Sequence, residues 1–152
     1  MPTVYVEETV NVGRDALFAV LTDHEGYDRF RGVQSCTLIQ EGKRERNGLG
    51  AVRRVHLGGP AVLDEEIVVF ERPSVFEYRI VRARPFPVNH TLGRVELEAL
   101  EANRTKVTWT STFEIAVPIV GKRLGNHAAS QFAKAFRATI QAAEKLALAN
   151  AA

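Results

Sequence analysis

The sequence predicts an α+β domain in which a curved antiparallel sheet of about seven strands wraps one long C-terminal helix, with two short helices after the first strand. Three observations carry this. Between Val33 and Glu114, β-like runs recur at regular spacing with turn chemistry between them, the pattern of an antiparallel meander. After Pro118 the apolar period changes from two to 3.6. Ahead of both, a strand pattern gives way to two brief helical ones.

Thr3–Val10 (TVYVEETV) is β-rich with partial alternation, and Asn11 and Gly13 punctuate it before the helical run Asp15–Leu21. Asp23 is placed to cap a second short helix with Tyr27 and Phe30 on one side, ended by Gly32. Strands follow over 33–41, 49–57, 63–71, 75–83, 90–100 and 105–115. Their separators are Asn47-Gly48, Gly58-Gly59-Pro60, Pro73-Ser74, Pro85-Phe86-Pro87 and Ala102-Asn103. Val107, Trp109, Ser111 and Phe113 alternate with Lys106, Thr108, Thr110 and Thr112, so the sheet has one dry face and one wet face. Leu124, Ala128, Phe132, Phe136, Ile140 and Ala143 stack at helical spacing into one long amphipathic helix, followed by a short Ala-rich tail expected to fray. A twisted sheet against a single helix leaves space that side chains only partly fill, and small apolar ligands bind in such spaces.

At 152 residues, 45% apolar and 25% charged, the chain is expected to be one domain spanning 1–152, with material for a core and an internal cavity. The single cysteine, Cys36, excludes an internal disulfide and reads as a buried small hydrophobe. No apolar run is long enough to cross a bilayer, so no membrane insertion is expected. Met1-Pro2-Thr3 leads straight into a strand, without a signal peptide, and predicts a cytoplasmic protein. Residues 1–76 carry a net −3 and residues 77–152 a net +5, but the cations are spread out and no nucleic-acid motif accompanies them, so no nucleic-acid partner is expected. His24, His56, His90 and His127 lack metal-ligand spacing. Gly48-Leu49-Gly50 precedes a strand instead of a helix, so it is a hairpin turn and no phosphate loop. No cofactor and no metal are expected.

The order of elements, with Asn47-Gly48-Leu49-Gly50-Ala51-Val52-Arg53, Asp64-Glu65-Glu66-Ile67, Asn89-His90 and Val107-Thr108-Trp109 through Phe113, resembles the START-related (SRPBCC) superfamily over nearly the whole chain. That helix-grip group includes polyketide cyclases/dehydrases, lipid carriers, birch-pollen-allergen-like proteins and plant abscisic-acid receptors. The resemblance implies pocket-lining positions at Arg53, Val55, Leu57, Glu65, Tyr78, Ile80, His90 and Leu92. Gly58-Gly59-Pro60-Ala61 looks like the receptors' gate loop and Arg84-Pro85-Phe86-Pro87 like the facing latch. The receptors' hormone-pairing lysine falls on Phe30, and the latch lacks their His-Arg pair, so a more apolar ligand is implied.

Glu65 and His90 are the best candidate catalytic pair, since a carboxylate and an imidazole on one cavity can relay a proton. The competing reading is two pocket-lining polar groups satisfied by water or backbone. Parity separates His90 and Leu92 from Val95, Leu97 and Ala99, so both sets face inward only through a bulge, for which Gly93 is the site. Arg53 either anchors an anion or pairs with Glu65, while Arg54 faces the other way. Trp109 and Phe113 are a stacking platform or core, meeting the helix around Phe132 and Phe136, with Ala128 beside the cavity. The reading is a bacterial-type carrier of an aromatic or lipid-like molecule held between sheet and helix. A cyclase-type enzyme on a carbonyl substrate and a gate-loop interaction module are the rivals, and a homodimer stays open.

Overall fold

A computed structural model describes residues 1–151. The chain runs β1 (Thr3–Val10), α1 (Arg14–Leu21), a 3-10 helix (His24–Arg29), β2 (Ser35–Gln40), β3 (Val52–His56), β4 (Val62–Glu71), β5 (Val75–Arg84), β6 (Val88–Glu101), β7 (Arg104–Ile115) and α2 (Gly121–Ala151). The strands form one antiparallel sheet in the order β1-β7-β6-β5-β4-β3-β2. Consecutive hairpins build all but one edge, and the first strand closes on the last. With α2 laid across the concave face, the arrangement is a helix-grip.

Alternation decides which face is dry. Val4, Val6 and Val10 of β1, Val95 and Leu97 of β6, and Val107, Trp109 and Phe113 of β7 all point at the helix side and are buried. The expected strand over 49–57 is shorter, because Glu41–Ala51 forms a turn-rich loop before β3 begins. Asp23 makes no side-chain cap; its carboxylate accepts from Arg29 Nη2 at 3.3 Å instead. Gly32 does end the segment, at φ +91°.

α2 is buried unevenly along its length. In its C-terminal half Ile140, Ala143 and Ala147 are fully buried, against α1 and β1, while Ala128, Phe132 and Phe136 of the N-terminal half are only half-buried. The Ala-rich tail, expected to fray, stays helical through Ala151, since alanine is the best helix former and Ala147 is anchored in the core. The N-terminal half therefore spans a gap above β3–β7.

Two bulges shape that gap. In β5 the register slips at Val81, where Asp64 pairs with Arg82 but Glu65 with Ile80. Asp64 thus faces out, taking two bonds from Arg54 at 2.8 and 3.0 Å, while the adjacent Glu65 faces in. In β6 the slip falls at Thr91, between His90 and Leu92, and not at Gly93 as parity had placed it. Beyond it Gly93, Val95 and Leu97 face inward, whereas Leu92 pairs with outward Thr112 and Ala99 is exposed.

Candidate functional site

The gap is a cavity of two adjoining lobes. An outer lobe of about 180 Å³ lies under the 84–88 segment, and an inner lobe of about 370 Å³ lies over β3. Leu57, Leu63, Glu65, Tyr78, Phe132 and Phe136 border both, which makes them one site. Ala61, Ile80, Pro85, Phe86, Phe113 and Ala128 wall the outer lobe. Val33, Arg53, Val55 and Trp109 wall the inner one. The lining is overwhelmingly apolar, and the combined size falls within the range of small-molecule sites.

The polar groups gather at the floor. Arg53 on β3 and Glu65 on β4 are register partners, and Arg53 Nε donates to Glu65 Oε1 at 2.8 Å. Arg53 Nη1 donates to His24 Nδ1 at 3.1 Å, and His24 Nε2 in turn donates to the Asn47 carbonyl at 2.8 Å. The guanidinium lies over the Tyr27 ring, 4.5 Å from its centroid, and 5.5 Å from that of Tyr78. Burial, with the Arg53 charge next in weight, holds His24 down to about 3, so it is a neutral acceptor for a permanent cation. Arg53 thus commits Nε and Nη1 to protein partners. No protein group among the described residues bonds Oε2 of Glu65.

A second polar row crosses the adjacent strands β7, β6 and β5. Trp109 Nε1 donates to the Tyr78 hydroxyl at 2.9 Å, and Trp109 itself stacks on Phe136 at 4.0 Å. His90 sits behind Tyr78, stacked at 5.4 Å, and does not reach the cavity. The β5–β6 ladder covers only Val75–Glu77 against Arg94–Glu96, which leaves the Ile80 N–H without a strand partner. His90 Nδ1 accepts that N–H at 3.0 Å, fixing the ring proton on Nε2, which donates to Ser111 Oγ at 3.1 Å. Burial, then the charge of Arg79, lowers His90 to about 4. With its lone pair spent on the backbone, His90 is a structural plug, and a direct proton relay with Glu65 has no geometric basis.

The arrangement leaves two hydroxyls supported from behind. Tyr78 accepts from an indole and Ser111 from an imidazole, so each keeps its own proton to donate, and both border the outer lobe. Ser111 was missed as a site residue; its signal was a polar side chain on the dry parity of β7. Phe30, at the receptor lysine position, instead packs edge-on to Tyr27 at 4.9 Å in the core. Of the loops, Ala61, Arg84, Pro85 and Phe86 reach the cavity. Gly58, Gly59, Pro60 and Pro87 do not; the two glycines, at φ +92° and +56°, make the β3–β4 turn. Cys36 is buried, which pushes its thiol up to about 11. Among the described residues no cluster of three His, Cys, Asp or Glu is placed to hold a metal, and no helix is long and apolar enough to cross a membrane.

A curved sheet gripping one helix over an apolar, polar-floored cavity defines a helix-grip protein with an internal chamber. The chain belongs to the family described as polyketide cyclase/dehydrase and lipid transport, whose model matches residues 1–147. Among solved structures it is similar to the Zhui aromatase/cyclase of Streptomyces sp. R1128, at 22% identity, covering 99% of this chain and 96% of that one, with a TM-score of 0.76. It is also similar to a START superfamily protein of Mycobacterium smegmatis, at 14% identity, 95% and 98% coverage and a TM-score of 0.76. Ara h 8.0201 follows at 17% identity, 97% and 98% coverage and a TM-score of 0.70. At these identities the likeness speaks for the fold. No curated protein matches.

Proposed function

We propose that the chain binds and carries an aromatic or lipid-like small molecule bearing one hydrogen-bond acceptor, such as a carbonyl or phenolic oxygen. The observation that carries this is the pairing of apolar lobes with the Tyr78 and Ser111 hydroxyls, two neutral donors that border the outer lobe and are not committed to protein acceptors. An apolar body gains from leaving water, and its one polar group needs one donor to avoid a desolvation loss. Arg53, paired with Glu65 and His24, is a support for the floor more than an anion anchor.

A cyclase- or dehydrase-type reaction is the second reading, favoured by Glu65 Oε2 and the Tyr78 hydroxyl bordering the same lobes, an acceptor and a donor of protons on one cavity. Native mass spectrometry of freshly purified protein, followed by denaturing extraction, separates the two. A carrier releases its molecule unchanged; an enzyme releases a product that differs from the supplied carbonyl compound, and loses on the order of 10²-fold or more in turnover in Glu65→Gln. Absence of any bound mass, with no response of Trp109 emission to added apolar compounds, overturns both.

A further inference from the structure

From the loop between β7 and α2, we propose that the protein docks through its cavity mouth onto an anionic lipid bilayer surface. Ala116-Val117-Pro118-Ile119-Val120 is an unbroken apolar run; Ile119 is fully exposed and Val120 is 47% exposed. Exposed apolar runs of this length are costly in solution without a use. Ile119 also sits at φ +71°, a left-handed conformation that a β-branched residue strongly disfavours, and this turn holds its side chain out in solvent. The Ala116 N–H donates to the Pro87 carbonyl at 2.9 Å, so the run stands beside Phe86, itself 44% exposed and part of the outer-lobe wall.

The charges around this tip fit one partner. Lys122 and Arg123 open α2, whose first turn has no acid, although a helix N-terminus disfavours cations. Folding therefore does not account for them. Arg84 borders the mouth from the other side, and none of the three is in an ion pair among the described residues. The nearby carboxylates are Glu114, in the groove beside Lys122 and within 3.4 Å of Asn89 Nδ2, and Asp64, which feels the charge of Arg84 but is bonded by Arg54. An apolar tip ringed by free cations matches the interface of a negatively charged bilayer, where Ile119, Val120 and Phe86 enter the acyl boundary and the cations meet lipid phosphates. Peripheral docking of this kind needs no spanning helix. It places the mouth against the reservoir of an apolar ligand, yet the surface argument is independent of what the cavity holds.

The test is flotation with vesicles of phosphatidylcholine mixed with phosphatidylglycerol, against vesicles of phosphatidylcholine alone. The full chain is expected to float with the anionic vesicles only, and the double variant Lys122→Gln, Arg123→Gln to partition about 30-fold more weakly, two charges at about 1 kcal/mol each. Ile119→Gly separates docking from structure: relief of the left-handed strain raises the thermal midpoint while vesicle binding falls. The response of Trp109 to an apolar dye should be unchanged in all of these variants, so failure here and failure of the cavity reading are told apart. No flotation, or equal flotation with neutral vesicles, overturns the proposal. So does a concentration-dependent dimer abolished by Ile119→Gly without vesicle binding, which makes the tip a self-association surface.

Discussion

Two histidines do their work by staying neutral. An unfolded chain takes up an imidazole proton near pH 6.5, whereas burial holds His90 near 4 and His24 near 3 in the fold. Between these values the unfolded chain binds more protons, so stability that is fully present above pH 6.5 is lost as pH falls toward 4 for His90 and 3 for His24. A thermal-midpoint profile should be flat near neutrality and fall steeply on the acid side. His90→Asn should start lower, with the Ile80 N–H disturbed, and fall less steeply; an acid limb as steep as that of the parent protein contradicts the assignment. Gly93 is a matter of space, since a Cβ there would lie 2.7 Å from the Tyr78 ring and 2.8 Å from His90. Gly93→Ala should therefore cost roughly 1–3 kcal/mol in denaturant unfolding, as overpacking does.

The two halves of α2 should answer the same kind of substitution in opposite ways. Ala143→Leu forces volume into full burial and should destabilise by about 1–3 kcal/mol. Ala128→Phe points its new ring into the outer lobe and should leave the urea midpoint near its parent value while blocking ligand. Equal losses at both positions contradict a cavity under the N-terminal half. Element order, turn positions and the dry face were legible in the sequence because turn chemistry and period-two alternation are local signals. The bulges were not. Thr91 breaks the register of β6 against β7, a pairing between strands that leaves no mark in the local sequence, whereas Gly93 stands out there by residue type alone. The role of His90 was hidden for the same reason: an Ile80 N–H left open by diverging strands is a tertiary fact, with no mark in either residue's neighbourhood. Arg53 and Glu65 were legible as a pair, since adjacent strands of a hairpin place them opposite each other.

At the scale of the molecule, the first strand closes on the last, while α2 buries one face fully along its C-terminal half and touches the sheet through Phe132 and Phe136 beside the chamber, so a closed scaffold and a chamber coexist in one fold. A ligand of the folded state alone should raise stability by about 2.7 kcal/mol at a hundredfold excess over its dissociation constant. Trp109 reports the chamber directly, because it is the chain's only tryptophan, it walls the inner lobe and its indole N–H touches Tyr78. The decisive measurement is a titration with an environment-sensitive apolar dye, following Trp109 emission and dye emission together. A chamber open to ligand predicts a saturable fall in Trp109 emission that tracks the rise in dye emission, with affinity at least about tenfold weaker in Ala128→Phe at unchanged circular dichroism. Dye emission that rises while Trp109 emission stays constant, or equal affinity in Ala128→Phe, contradicts it.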